Sequence, residues 1–337
     1  MNTILKALVV GIKNYPKRPL KYSVKDAIAV HELLSRNEDG KPNFDAKLVK
    51  NVKTLAKLKG HLFDLFNERA ETVLFYFAGH GMYDNFGFHL VTPDGYQNDW
   101  GLSMSDLLIL ANNSKAKNKV IILDCCFAGG IDENNGMPSY LCEGLTIMAA
   151  ARKNQKAYET NGHGVFTRLL IEALKGGACD LNGKISPGSL YAYIDNAMGE
   201  NEQRPMFKTN VSQFVSLRQV SPPIAPDVLA SIVDFFPDPE KVHKLNPSYE
   251  FTNDPAYEPM LRKPYKDNTN ADIFGALQKM TRVGLVVPVG EEHMYFAAMN
   301  RKSCRLTPLG KHYWELVKKA KAENIKGMNI SKNTIVH

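Results

Sequence analysis

The segment "VLFYFAGHGMYDNFGFHLVTPD" (residues 73–94) contains an apolar strand that stops at a histidine between two glycines. Residues 73–77 are apolar without alternation, which is typical of a strand covered by other elements on both faces. Gly79, His80 and Gly81 follow directly. A tight turn whose histidine faces solvent is the simplest interpretation, and a catalytic role for His80 requires a reactive partner elsewhere in the chain.

A second strand of the same kind supplies that partner. In "VIILDCCFAGG" (residues 120–130) an apolar run again ends in a reactive group followed by small residues, and Cys126 comes 46 positions after His80. Carboxyl ends of parallel strands lie at one edge of a sheet, where ligands bind. A histidine that reaches a cysteine there can take the thiol proton and leave a nucleophilic thiolate. The backbone N–H groups of Gly81 and Cys126 are then candidates for an oxyanion hole.

The first 215 residues or so alternate between strand-like and helix-like segments, which predicts an α/β fold. Strands are predicted at 4–12, 72–77, 88–92, 119–124, 145–151 and 206–210, and helices at 23–36, 54–69, 103–114, 166–176 and 189–198. Ser23 and Thr54 are the predicted N-caps of the first two helices. Such alternation is typical of a doubly wound, mostly parallel sheet flanked by helices.

The chain changes character at "SPPIAP" (residues 221–226), where three prolines in six residues indicate a linker. We therefore predict a first domain over 1–218, a linker with a connecting helix over 219–236, and a smaller accessory domain over 237–337. In the last of these, a helix, two short strands around "VGEEH" and a closing helix capped by Thr307 resemble a winged-helix domain of the α+β class.

Composition limits the classes of function. Of the 337 residues 44% are hydrophobic and 23% charged, and no apolar run reaches the length of about 18–20 residues that a membrane span requires. We read "ILKALVVGI" as a strand and not as a signal peptide, since Lys6 interrupts it. Five cysteines without metal-ligand spacing argue against disulfides and zinc and favour the reducing cytoplasm.

The positive charge is concentrated at the C-terminus. Residues 301–337 carry nine Lys and Arg against two acidic residues, which equals the net charge of +7 of the whole chain. This excess indicates either an acidic partner or a solvated helical face.

The two strand-end motifs together resemble a known family. "FAGHG" followed by "DCCFAGG" is similar to the caspase-like cysteine peptidases, above all to metacaspases and their prokaryotic relatives, and the likeness extends over about 1–218 through "SVKDA" and "GVFTRLLIEAL". It implies a cysteine endopeptidase that requires no cofactor for its chemistry, with His80 as base and Cys126 as nucleophile. Cys125 then faces the core as a small residue.

Three other histidines compete with His80 for the catalytic role. His163 stands in a second Gly-His-Gly, "NGHGVF", but it follows a polar loop and precedes a helix, so we do not expect it beside Cys126. His31 and His61 lie within helical patterns and are expected to be surface or packing residues.

The resemblance also implies a specificity. Metacaspases cut after arginine or lysine, and the matching pocket acids are Asp26 and Asp124. Ser23 falls where the family has a small residue lining that pocket, and Ala78 replaces a serine of the family. A carboxylate pocket would hold a basic side chain through charge-assisted hydrogen bonds. The alternative for Asp26 is an acid in the first turn of a helix, stabilised by the helix dipole.

Regulation is less defined by the sequence. Metacaspases often need calcium as an activator, although no loop has compact calcium-ligand spacing. The candidate ligands are Asp94, Asp99, Asp132 and Glu133. The glycine-rich segment 127–144 is expected to be a mobile loop that orders on activation. Arg152, Lys153 and Lys156 are candidate sites of self-cleavage.

A second class of function places the activity in the C-terminal domain, as an adaptor that binds a protein or nucleic acid on an inactive peptidase scaffold. The basic tail favours it. The predicted recognition helix, with only Lys279 and Arg282, makes nucleic acid a weak candidate. We expect a combination in which this domain recruits or restrains a working protease, as in bacterial stress or anti-phage systems. Loss of hydrolysis in Cys126→Ala with retained partner binding would separate the two roles.

Overall fold

The computed structural model describes residues 4–97, 99–125, 141–150, 159–160, 163–198, 204–256 and 261–333. The chain divides into two compact units, Met1–Ser221 and Pro222–His337.

The first unit is built on a six-stranded sheet with smaller sheets around it. Its strands are β1 (Leu5–Gly11), β2 (Asp45–Lys50), β3 (Thr72–Ala78), β4 (Gly81–Asp84), β5 (Gly87–Tyr96), β6 (Asp99–Ser103), β7 (Asn118–Asp124), β8 (Leu145–Ala149), β9 (Glu159–Thr160), β10 (His163–Gly164), β11 (Lys184–Ile185), β12 (Met206–Asn210) and β13 (Arg218–Gln219). Its α-helices are α1 (Ser23–Ser35), α2 (Leu55–Asn67), α3 (Met104–Asn112), α4 (Val165–Glu172) and α5 (Pro187–Ala197), and a π-helical turn at Ala173–Gly177 extends α4.

The main sheet has the strand order β12-β8-β7-β3-β1-β2. All neighbours pair in parallel except β12, which is antiparallel to β8. The prediction of a mostly parallel sheet is therefore confirmed. Strand 88–92, by contrast, belongs to a separate antiparallel sheet, β4-β5-β6, that starts directly after His80.

Alternate residues of the central strands enter two cores, one on each face of the sheet. In β3, Phe75 and Phe77 pack on the side of α2 and α3, whereas Leu74 and Tyr76 pack on the side of α1, α4 and α5. All seven residues of β3 are buried. Helices on both faces explain why the apolar runs lack alternation, and they confirm the doubly wound arrangement.

The first turn of helix α1 packs against the end of β1, and the contact between them corrects one sequence prediction. The N-cap is Tyr22 and not Ser23, and it makes no side-chain capping bond. The Ser23 hydroxyl instead donates to the carbonyl of Ile12 over 2.7 Å, which fastens the start of α1 to the end of the sheet. The predicted cap at Thr54 is confirmed, since its side chain accepts from the N–H of Lys57.

The second unit combines short helices with a three-stranded antiparallel sheet, β14-β16-β15. Its elements are α6 (Pro226–Ala230), α7 (Ile232–Phe235), β14 (His243–Lys244), a 3₁₀ turn (Pro247–Tyr249), α8 (Asn268–Arg282), β15 (Val286–Val289), α9 (Met294–Met299), β16 (Ser303–Leu306) and α10 (Pro308–Asn333). Thr307 accepts from the N–H of Gly310 at the start of α10, as predicted.

The predicted hairpin around "VGEEH" is wrong in one strand. Met294–Met299 forms helix α9 instead, because Met294, Ala297 and Ala298 bury one helical face, and the partner of β15 is the later strand β16. The winged-helix interpretation of this unit stays a prediction.

The close approach of β1 and α1 gives a stability prediction. A Cβ on Gly11 would lie 2.6 Å from the Ser23 carbonyl oxygen and 2.9 Å from the Cα of Val24. Both are backbone atoms, so Gly11→Ala must displace α1, and we expect a loss of about 1–3 kcal/mol in the free energy of unfolding. Urea denaturation followed by circular dichroism measures it.

Gly60→Ala is the matched control for this substitution. Gly60 lies inside α2 with no atom within 4 Å of the added methyl. We expect it to stabilise the protein by up to about 1 kcal/mol. Equal unfolding midpoints for Gly11→Ala and wild type would contradict the proposed packing of α1.

Candidate active site

Two neighbouring strands bring the candidate catalytic segments to one edge of the sheet. Ala78, the last residue of β3, is in register with Asp124, the last residue of β7. Beyond this pair, the N–H of Gly79 donates to the carbonyl of Asp124 over 3.3 Å. His80 follows Ala78 by two positions and Cys126 follows Asp124 by two positions. Cys126 itself lies outside the described residues.

The His80 ring is oriented by a backbone carbonyl. Its Nε2 lies 2.6 Å from the carbonyl oxygen of Arg18. A carbonyl oxygen can only accept, so in the neutral ring Nε2 carries the proton and Nδ1 has the lone pair. Arg18 has φ 57°, a left-handed conformation uncommon outside glycine. The ring is therefore held in the tautomer that leaves Nδ1 able to take a proton.

Tyr15 contacts His80 twice, through a hydrogen bond to its backbone N–H and through packing against its ring. Its hydroxyl accepts from the N–H of His80 over 3.0 Å and donates to the carbonyl of Val91 over 3.2 Å. The two rings lie 4.5 Å apart between centroids, tilted by 53°. Burial raises the pKa of the Tyr15 hydroxyl above its ordinary value, so it stays protonated and remains a donor. The N–H of Val91 in turn donates to the His80 carbonyl.

The two predicted pocket acids lie at this same end of the fold, and both are buried. Asp26 is 3% exposed and Asp124 is 8% exposed. Asp26 accepts at Oδ1 from Nδ1 of His163 over 2.5 Å and at Oδ2 from the N–H of Gly164 over 3.2 Å. Asp124 accepts at Oδ2 from the hydroxyl of Thr167 over 2.5 Å. The start of α4 therefore contacts both carboxylates.

Tyr76 extends the contacts of Asp124 into the core. Its hydroxyl lies 2.6 Å from the oxygen of Thr167, whose own proton goes to Asp124, so Tyr76 is the donor in that contact. Burial first, and then the charges of Asp124 and Asp26, raise the pKa of Tyr76 well above its ordinary value. The negative field of the two carboxylates thus reaches this hydroxyl.

Gly164 lies between the two acids. A Cβ at this position would lie 2.9 Å from Oδ2 of Asp124. A side chain at this position would crowd the Asp124 carboxylate. Because residue 164 is glycine, its backbone can pass close to Asp124 while its N–H donates to Asp26.

Of the other predicted site residues, Ser23 and Ala78 are buried at this edge and Gly81 is partly exposed. Ser23 is 5% exposed and its hydroxyl is bonded to Ile12, and Ala78 is 1% exposed at the end of β3. Gly81 is the first residue of β4, directly after His80. Cys125 is buried among the apolar residues of the core, as predicted.

The other histidines divide as follows. His31 in α1 contacts the carbonyl of Ala46, and His61 lies in α2, as expected of packing and surface residues. The role of His163 was missed by sequence reasoning. His163 and Asp26 are 137 positions apart in the sequence. The only signal in the sequence that could have indicated their contact is that His163 stands just before helix α4.

The calcium candidates do not form a ligand group in the described part of the chain. Asp94 accepts from the N–H of Leu55 with both carboxylate oxygens and from the hydroxyl of Thr92. It therefore stabilises the first residue of helix α2. Within the described ranges, no cluster of three or more His, Cys, Asp or Glu side chains could hold a metal ion. Asp132 and Glu133 lie outside them, as do Arg152, Lys153, Lys156 and most of segment 127–144.

Comparison with known proteins identifies the family. The sequence model described as "Caspase domain" matches residues 4–215, so this chain belongs to the caspase domain family of cysteine-type peptidases. Its fold is caspase-like, a mostly parallel sheet flanked by helices.

The solved structures that are similar to the chain include the following two. One is a protein from Geobacter sulfurreducens, at 16% identity and a TM-score of 0.49, covering 65% of this chain and 100% of that one. The other is caspase-1 from Spodoptera frugiperda, at 12% identity and a TM-score of 0.46, covering 65% of this chain and 91% of that one. No curated protein sequence matches the chain. Among the helices described, none combines the length and apolar character needed to span a bilayer.

Proposed function

We propose that this chain is a cysteine endopeptidase that hydrolyses peptide bonds after arginine or lysine, with Cys126 as nucleophile and His80 as general base. The observation that carries this proposal is the register of β3 and β7. His80 and Cys126 each follow a member of the paired residues Ala78 and Asp124 by two positions. Neighbouring strands lie about 4.8 Å apart, and from the pairing of Ala78 with Asp124 we infer that the side chains two positions further along each segment can meet.

The tautomer of His80 decides which ring nitrogen acts as the base. Because the Nε2–H group donates a hydrogen bond to the Arg18 carbonyl, Nδ1 is the atom that takes the proton of the Cys126 thiol. The thiolate attacks the scissile carbonyl carbon, and the electron pair of the C=O bond moves to oxygen. The N–H groups of Gly81 and Cys126 stabilise that oxyanion.

Collapse of the tetrahedral intermediate breaks the C–N bond. The leaving amine takes the proton held on Nδ1 of His80, and a thioester to Cys126 remains. Water then attacks the thioester while Nδ1 takes one of its protons. The second intermediate expels the Cys126 sulfur, which recovers a proton from His80, and the carboxylic acid product is released.

Specificity for a basic residue rests on Asp26 and Asp124. Both are buried carboxylates at the edge of the sheet where β3 and β7 end, and the attraction between a carboxylate and a cation is stronger where water is excluded. Ser23, in the helix that carries Asp26, and Ala78, in register with Asp124, are the small residues that the resemblance assigns to this pocket. The preference is the one found in metacaspases, to which the motifs are similar.

The family resemblance and the positive charge of residues 301–337 support a proposal for the pathway and the partner of this activity. The second unit, with a winged-helix-like arrangement, recruits or restrains the peptidase through a protein partner in a bacterial stress or defence pathway in the cytoplasm. The basic residues of 301–337 support an acidic partner. Calcium is a candidate activator and takes no part in the chemical steps above.

A panel of fluorogenic peptides ending in Arg, Lys or Asp tests the proposal, with and without calcium. Wild type is expected to cleave after Arg and Lys and not after Asp, and Cys126→Ala to fall to background. Cys142→Ala, at a partly buried cysteine in the described part of the chain, is the matched control and should retain activity. Cleavage after Asp would overturn the pocket assignment, and activity in Cys126→Ala would overturn the nucleophile.

A further inference from the structure

The Asp26 carboxylate already has an imidazole partner within the protein, the ring of His163. Nδ1 of His163 lies 2.5 Å from Oδ1, and the N–H of Gly164 lies 3.2 Å from Oδ2. The Asp26 side chain is 4% exposed and that of His163 is 21% exposed. The imidazole is therefore the more accessible member of a short, largely buried pair.

A hydrogen bond to each oxygen changes what Asp26 can offer a ligand. A guanidinium binds a carboxylate best through two parallel N–H bonds, one to each oxygen. An ammonium acts as a point charge and needs a single oxygen. His163 already donates to Oδ1 and Gly164 to Oδ2, so a guanidinium cannot form both of its parallel bonds to Asp26. An ammonium, which needs one oxygen, is affected less.

We propose that His163 is a specificity-determining residue of the substrate pocket, which competes with the basic side chain of the substrate for Asp26 and reduces the preference for arginine over lysine. This inference rests on the proposed function, because that function places Asp26 in the pocket. His163 acts through Asp26 and is distinct from the proton-transfer chemistry at His80.

The second pocket acid has a different partner, which makes the effect specific to Asp26. Asp124 accepts from the neutral hydroxyl of Thr167, and Tyr76 donates to that hydroxyl in turn. Substitution of His163 removes the bond to Oδ1 of Asp26 and leaves both of these contacts in place. Only the contribution of Asp26 to cation binding should change.

Two small cations test the inference without turnover: agmatine, which carries a guanidinium, and cadaverine, which carries an ammonium. Their dissociation constants are measured by calorimetry on the full chain in the Cys126→Ala background. His163→Leu removes the hydrogen-bond donor at similar volume. We expect agmatine to bind about tenfold more tightly to it, and cadaverine to change about threefold or less.

Two variants control the comparison. His163→Gln keeps an uncharged donor near Asp26 and is expected to restore the agmatine-to-cadaverine ratio toward that of the parent protein. His31→Leu removes a histidine from the helix that carries Asp26, at a ring bonded to the Ala46 carbonyl, and should leave the ratio unchanged.

A second measurement keeps the inference testable should His163→Leu fail to fold. In ¹⁵N-histidine spectra, agmatine should shift the His163 ring signals, which are assigned by their loss in His163→Gln. Binding of both cations with no shift at His163, or with an unchanged ratio in a folded His163→Leu, would overturn the inference alone. No binding of either cation to any variant would overturn the pocket assignment and this inference with it.

Discussion

Replacement of His80 by glutamine is expected to lower kcat/KM for arginine peptides by about 10⁴-fold. Glutamine approximates the size of the ring, and its amide can donate to the Arg18 carbonyl that now binds Nε2. It cannot take a proton from the thiol. The loss should therefore appear in kcat, measured under saturating peptide, more than in KM.

A direct assay of the thiol separates this role from a structural one. Without His80, the Cys126 thiolate loses its partner, so alkylation of Cys126 by iodoacetamide at neutral pH should slow markedly. His61→Gln, in α2, is the matched control and should leave both rates unchanged. A His80→Gln protein with wild-type kcat and alkylation rate would show that the histidine is not the base.

The sequence predicted the edge of the sheet well because the signal there is local. An unbroken apolar strand is recognisable without any tertiary information, and both β3, which runs into Gly79, and β7, which ends at Asp124, have this pattern. Their pairing in register places the ends side by side. By contrast, β2 was not predicted, because "DAKLVK" is half polar and only partly buried at the edge of the sheet. Its assignment depends on the neighbouring strand β1.

Contacts between distant segments account for the wrong N-cap and for the one contact of a pocket acid that the sequence did not indicate. Ser23 has the residue type of an N-cap, but the carbonyl of Ile12 lies close enough to take its hydroxyl. The sequence predicts only that His163 does not lie beside Cys126, and it does not indicate that the packing of α4 against α1 brings His163 to Asp26. No spacing rule indicates a pair separated by 137 positions.

Asp124→Asn should reduce kcat/KM for arginine and lysine peptides by about 10²–10³-fold, because it removes one buried negative charge from the pocket while keeping its shape. The Thr167 hydroxyl can still donate to the amide oxygen of asparagine, so the contact with α4 is retained. Peptides ending in citrulline, which is neutral and similar in shape to arginine, should lose far less. The ratio of kcat/KM between arginine and citrulline peptides is the measurement.

The matched control for that ratio is Asp106→Asn, at a half-exposed acid of α3 that pairs with Lys59. It removes the same charge from the protein at a surface position and should leave the ratio unchanged, since exposed charges are screened by solvent. An equal fall for arginine and citrulline peptides in Asp124→Asn would contradict the pocket role. It would assign Asp124 to the placement of the strand end that carries Cys126, because the Asp124 carbonyl already binds Gly79 on the strand that carries His80.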